Sequence, residues 1–355
     1  MNNNKSTLEQ ISELWNNYIF KLKFFRNHYK FDAATASNHF GQILDHFSDS
    51  MYIIENAKTP ELIHNRYSFN ISLLQTIYVH QDLIEEMHRI FKTEVNKGKL
   101  YTDLNYKINR EIRNELVGHP IRRENGNGDM ISAVTLSYQD APNTIEYIRY
   151  HKTNNYSFEK VHHSVQEIID RHSSFLRDNL NHIYLHIHES LKLYLKKIKE
   201  VQSVMDNGKF DGVVRLVENH YETFQDDNFL YTSEQINAVF QKKDQHPRYQ
   251  LMIDNYLADL SYHLKEMTNT IESVVSSKER EIINYPIDVC KHHYEVGKLF
   301  TKRNEQDFKF FGSLLKSQVA GNATAIEELD FMALHIYDEV DYYASCNYLS
   351  KTLTA

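Results

Sequence analysis

Arg110-Glu111-Ile112-Arg113-Asn114-Glu115-Leu116-Val117-Gly118-His119-Pro120 is the stretch around which the chain is organised. Leu104, Ile108, Ile112 and Leu116 recur at every fourth residue, which sets them on one helix face and predicts a core ridge. Lys107, Arg110 and Asn114 fall on a second stripe, and Arg113 lies one step further round. Gly118 is a natural helix terminus, and Pro120 drives His119 out of helical geometry. The predicted helix therefore runs from Thr102 to Val117. Six residues of unbroken helix would carry His119 about 240° round from Arg113, at about 3.6 residues per turn. The Gly-His-Pro break removes that constraint and lets the imidazole fold back beside the helix end, near Arg113.

The sequence before this stretch is helical in pattern. Ser6 opens a first helix, with Glu9 completing a capping box. Leu8, Ile11, Leu14, Trp15 and Tyr18 form its apolar face, which continues to Leu22 and Phe25. A second helix is expected from Asp32 to Glu55, with Phe40, Ile43, Leu44, Phe47 and Met51 facing inward. Thr59 as N-cap and Pro60 in the first turn start a long third helix to Glu94. Phe69, Leu73, Ile77, Ile84 and Met87 form its inward stripe. Four helices ending on the quoted stretch predict a helical bundle.

After Pro120 the texture changes. Arg122 to Gly128 reads as a loop. Ile131–Tyr138 and Thr144–His151 read as the strands of a β-hairpin, at about 130–151, around the turn-rich residues 139–143. A long helical region follows from Phe158 to about Met205, and Asp206-Asn207-Gly208 is its stop. The expected fold is mainly α, with a helical domain over 1–205 that carries the inserted hairpin and a second helical domain over 206–355. Helical spacing recurs in the latter over Phe210–Phe224, Ser233–Lys242, Tyr249–Val275, Glu279–Phe300, Glu305–Ser317 and Ala323–Ser350. His246-Pro247, Tyr285-Pro286 and Gly321-Asn322 are the expected breaks.

Composition agrees and excludes several classes. Only 10 Gly and 5 Pro in 355 residues favour long helices over a turn-rich β fold. A formal net charge of −8 argues against a general nucleic-acid coating protein, though a local basic cleft fits within it. Cys290 and Cys346 make no disulfide framework and point to a reducing cytosol. The first residues lack the apolar core of a signal peptide, and no run reaches the roughly 18 apolar residues of a membrane span. The expectation is a cytoplasmic protein without a membrane partner. No phosphate-binding glycine loop and no nucleophile-elbow motif is present.

The quoted stretch suits phosphodiester chemistry. An arginine fork grips phosphate oxygens and stabilises added negative charge. A histidine with a pKa of about 6.5 gives or takes a proton near neutrality. Asn114 is placed to orient a ligand or fix the imidazole. RNA brings its own nucleophile, the 2′-hydroxyl, so this chemistry requires no metal. A plainer account also fits: Arg113 pairs with a surface carboxylate, and His119 is a cation at a helix C-terminus, where the macrodipole favours one.

The segment resembles the signature of the HEPN superfamily, an arginine, a polar residue such as asparagine, and a histidine after four to six intervening residues. Here it reads Arg113, Asn114, then Glu115 to Gly118, then His119. The resemblance covers this motif and its helical setting. It implies an all-helical fold and a homodimer in which two motifs meet in one cleft. It also implies a metal-independent endoribonuclease that leaves 2′,3′-cyclic phosphate ends, in a toxin or antiviral setting. Carried over, Arg113 binds phosphate, His119 assists proton transfer and Asn114 supports both. Arg110, Arg122 and Arg123 are expected to bind substrate; Arg149 and Lys152 add charge, as an ordinary solvated hairpin surface also would. The expected partners are an RNA substrate, a second copy of the chain and a regulatory protein on the C-terminal half. No cofactor and no metal is expected. The alternative is a non-catalytic HEPN-like module that binds RNA or a partner protein.

Other clusters read more simply as surface. His182 and His186 sit at i, i+4, where they could share a metal, but His188 points elsewhere and no HExxH is present. Lys192, Lys196, Lys197 and Lys199 form a cationic run near a helix end, suited to RNA backbone or to the macrodipole alone. Glu327, Glu328, Asp330, Asp338, Glu339 and Asp341 read as a solvated acidic face.

Overall fold

The computed structural model describes residues 2–126, 128–137, 142–207, 210–220, 232–276, 279–283 and 290–354. Among them the chain is mainly helical, as expected, and the inserted hairpin is part of one four-stranded antiparallel sheet. It forms two compact units, Met1–Ser190 and Leu191–Ala355.

In the first unit α1 (Asn2–Leu14) places Ser6 inside the helix rather than at its cap, and a π turn at Trp15–Ile19 continues it. α2 (Lys23–Tyr29) follows. The Trp15 ring is fully buried and meets Phe40 edge-on at 4.6 Å, while its Nε1–H donates to Asn38 Oδ1 at 3.0 Å. Asn38 adopts the left-handed conformation, φ 63°, which asparagine tolerates. That residue divides the helix expected over 32–55 into α3 (Ala33–Ala36) and α4 (His39–Glu55). α5 (Ile63–Ile90) begins after Thr59-Pro60, which does not cap it, and stops before Glu94; Leu73, Ile77, Ile84 and Met87 are buried as expected.

α6 (Lys97–Leu100) leads to α7 (Leu104–Arg113) and a second π turn, Asn114–Gly118. Of the predicted ridge, Ile112 and Leu116 are buried and Ile108 is half-buried, whereas Leu104, in the first turn, is 66% exposed. Polar ties fix α7 in place. Gln81 of α5 donates to the Tyr106 carbonyl at 2.9 Å, and buried Asn109 donates to the Ile168 carbonyl at 2.9 Å.

The sheet runs in the order β1 (Ile121–Arg123), β2 (Met130–Leu136), β3 (Thr144–His151), β4 (Glu159–Ser164). β2 and β3 are the expected hairpin; residues 138–141, which include most of its turn, lie outside the described residues. β1 replaces part of the expected loop. β4 replaces the expected helix start at Phe158, so α8 (Val165–Asn207) begins later. Val134, Ile145 and Tyr147 share one sheet face and join Leu73, Ile77, Ile112 and Leu116 in a single apolar cluster. That cluster seats the sheet against the end of α7.

The two units divide within α8, which ends at Asn207. The second unit continues with α9 (Phe210–His220), α10 (Ser233–Gln241) and α11 (Pro247–Ser276). α12 (His293–Thr301), α13 (Glu305–Asp307), α14 (Ser313–Gln318), α15 (Ala323–Leu334) and α16 (Glu339–Thr352) complete it. The helix expected over Glu279–Phe300 is shorter, because residues 279–283 are irregular; the Tyr285-Pro286 break and residues 221–224 lie outside the described residues. Leu299, Leu315, Leu329, Met332 and Tyr342 centre the core. Cys290 and Cys346 are buried free thiols, and burial pushes the latter up to about 12. Among the described residues no helix is long and apolar enough to cross a membrane.

Candidate active site

The end of α7 builds the site. The π turn is closed by the His119 N–H, which donates to the Asn114 carbonyl at 2.7 Å, five residues back. His119 then leaves helical space at φ −141°, as the residue before a proline should. Arg113 is held by neutral partners. Its Nε and Nη2 both donate to Gln75 Oε1, at 3.2 and 3.0 Å, and Nη1 donates to Asn114 Oδ1 at 3.2 Å. Its Cζ lies 3.8 Å from the Tyr78 ring centroid. No carboxylate pairs with it among the described residues. Gly118 passes so close that a Cβ there would stand 2.6 Å from Arg113 Nη1. The chain between arginine and histidine thus wraps against the guanidinium.

Beside this turn lies a cleft of about 340 Å³. It is lined by Glu111, Asn114, Glu115 and His119 from the end of α7 and its π turn, and by Arg122 of β1 and Arg149 and His151 of β3. His119 is exposed, and its side chain makes no hydrogen bond among the described residues. Arg122 likewise has no ion-pair partner there. Arg149 is committed: it grips Glu159 through Nε and Nη2 at 3.1 and 2.9 Å, and its Nη1 lies 3.5 Å from Glu115. Glu115 also accepts the Tyr147 hydroxyl at 2.7 Å. Burial first, and that carboxylate second, raise the Tyr147 pKa, so the phenol stays protonated. Nearby His163 is pushed down, by burial and then by the Arg171 cation.

The expected residues do not all meet. Asn114 and His119 share the cleft with Arg122, and Arg113 reaches it through Asn114 without lining it. Arg110 is elsewhere. It is 4% exposed, paired with Asp82 at 2.8 Å, and stacked over Tyr78 at 4.1 Å and Tyr106 at 5.3 Å. It borders a separate cavity of about 600 Å³. Arg123 is exposed, off the cleft wall, and donates to the Gly128 carbonyl at 3.3 Å. Lys152 pairs with Glu124 at 2.9 Å. Gln75, Tyr78, Glu115 and His151 are the participants that sequence reasoning missed. No local pattern marks them, because each is brought in by tertiary packing or by strand register.

The remaining clusters are satisfied by neighbours or open to solvent. His182 and His186 line an open depression, and among the described residues no group of three His, Cys, Asp or Glu side chains is placed to hold a metal. Lys197 and Lys199 pair with Glu200 and Glu272 at 2.7 and 2.8 Å. The acidic face is partly internal: Glu328 pairs with Arg248 at 3.0 Å, and Asp341 with Lys242 at 2.6 Å.

No family model, curated protein or solved structure matches the chain.

Proposed function

We propose that the chain is a metal-independent endoribonuclease of the HEPN type, acting as a homodimer in a toxin or antiviral setting. The observation that carries the reading is the arrangement at the end of α7. His119, exposed and without a side-chain hydrogen bond among the described residues, shares a cleft with Asn114, and Asn114 bonds an arginine whose charge no carboxylate among those residues neutralises. In the reaction the 2′-oxygen attacks phosphorus and the bond to the 5′-oxygen breaks. A 2′,3′-cyclic phosphate and a 5′-hydroxyl result. His119 of one copy takes the 2′-hydroxyl proton, and His119 of the second copy gives a proton to the leaving 5′-oxygen. Asn114, which accepts from Arg113, presents the hydrogen-bonding edge that meets charge developing on the phosphoryl oxygens, with the guanidinium charge behind it, and Arg122 holds the phosphate. The HEPN resemblance supplies the dimer and the biological setting.

The test is cleavage of cellular RNA in the presence of EDTA, with analysis of the product ends. Arg113→Ala and His119→Ala are each expected to lose about a hundredfold or more in rate. Cleavage that persists unchanged in both variants sinks the assignment. The second reading, a non-catalytic module that binds RNA or a partner protein, draws on the neutral hydrogen-bond partners that already occupy Arg113. Salt-sensitive RNA binding without products would favour it.

A further inference from the structure

His151 shares the cleft with His119, yet its surroundings give it a different task. It is the last residue of β3, and its ring caps the short turn that follows. The Thr153 backbone N–H meets His151 Nδ1 at 3.1 Å, and the Thr153 hydroxyl meets the same nitrogen at 2.7 Å. A backbone N–H can only donate, so Nδ1 must present a lone pair. In a neutral imidazole the proton then sits on Nε2, and His151 lines the cleft.

Strand register sets what stands beside it. Arg122 is paired with Ser132, and Ser132 with His151, so the three lie in one row across the sheet. Directly opposed residues share a face. Two strand spacings of about 4.8 Å place the Arg122 and His151 backbones about 10 Å apart. A phosphate group hydrogen-bonded to both side chains fills such a gap. Ser132 between them is buried, so the row is open at its two ends only.

We propose that His151 is a phosphate-binding hydrogen-bond donor, fixed in its Nε2–H form by the Thr153 amide and acting with Arg122 on one phosphate of a nucleic-acid chain. The proposal rests on the reading of this cleft as a phosphodiester site. It assigns the two histidines separate tasks: His119 moves a proton, and His151 binds without giving one up.

Nitrogen–proton correlation spectra of the free chain are expected to show Nε2 as the protonated nitrogen of His151. Titration with uridine 3′-monophosphate reads the seat without catalysis. Affinity should fall about tenfold to a hundredfold in His151→Ala, the loss of one hydrogen bond to a charged group. It should recover in His151→Gln, whose amide N–H takes the place of Nε2–H. In RNA cleavage, His151→Gln should keep the pH profile that His119→Ala abolishes. A protonated Nδ1, nucleotide binding that is absent or indifferent to His151→Ala, or a pH limb lost in His151→Gln would each overturn the proposal. If the chain binds the nucleotide through His151 and cleaves no RNA, the nuclease reading falls and the phosphate seat stands.

Discussion

Gly118 decides where the Arg113 guanidinium rests. Alanine there brings no backbone strain and has the better helix propensity, by about 1 kcal/mol. Its Cβ would still collide with Arg113 Nη1, the movable end of a long side chain. Gly118→Ala should therefore leave unfolding stability within about 1 kcal/mol of the unaltered chain. RNA cleavage should fall about tenfold or more, because a small misplacement of a charge-stabilising group is costly. Denaturant titration and a rate assay on one preparation check both halves. An equal loss in the two would place Gly118 in the fold rather than the site. At this scale residue type and spacing marked Arg113, Asn114 and His119, and the Gly-His-Pro break marked the turn. They did not mark Gln75, which lies thirty-eight positions before Arg113 and supplies two of its three hydrogen bonds.

The elements were legible wherever a segment carries its own pattern. The β2–β3 hairpin follows from alternation and a turn, and the buried stripe of α5 from fourfold spacing. β1 and β4 carry no such signal. β1 is three residues long and exposed throughout, and β4 reads Glu-Lys-Val-His-His-Ser with one apolar position, so each is a strand because its neighbour pairs with it. The long helix expected from Phe158 starts at Val165 instead for that reason. Between helices the informative residue is Tyr78, whose ring on α5 meets both Arg110 and Arg113 of α7, with Cζ atoms at 4.1 and 3.8 Å. Cation–π contacts contribute about 0.5–2 kcal/mol each. Tyr78→Leu keeps an apolar side chain and removes both, so a loss of about 1–3 kcal/mol in chemical denaturation is expected. Cleavage should fall further than stability alone explains, since Arg113 loses its platform. Unchanged stability would mean that the ring only fills space.

Across the first unit, buried imidazoles set the response to acid. Ser50 of α4, His80 of α5 and His172 of α8 form a chain of contacts, each 2.9 Å, with both histidines fully buried. Ser50 also lies 2.7 Å from the His46 carbonyl, to which its hydroxyl donates, so its oxygen accepts from His80 Nε2–H. His80 Nδ1 then accepts from His172, and both rings are neutral. Burial lowers His80 to about 3, with the charge of His46 adding to it; burial likewise lowers His172, and lowers His88 to about 4. The unfolded chain takes up these protons from about 6.5 downward, while the folded chain does not. Stability is therefore complete above about pH 6.5 and declines as pH falls toward these lowered values. Between about pH 6.5 and 5 most carboxylates remain ionised, so the histidines dominate; each fully buried one should cost at most about 2 kcal/mol over that window. Urea midpoints across it check the expectation, and a flat response would contradict it. The number of histidines was plain in the sequence, but which of them fold away from water was not.

The π turn after Arg113 has a consequence in register. Its carbonyl-to-amide closure spans one residue more than an α-helical turn, so the segment holds a surplus unit of chain without a break in hydrogen bonding. Substitutions within it exchange side chains and leave the frame alone. Removing one of its residues lets an ordinary helical turn close across the same gap, so the chain beyond keeps nearly its place. The interval from Arg113 to His119 thus has one residue of slack, which the backbone can give up without moving the sheet that follows.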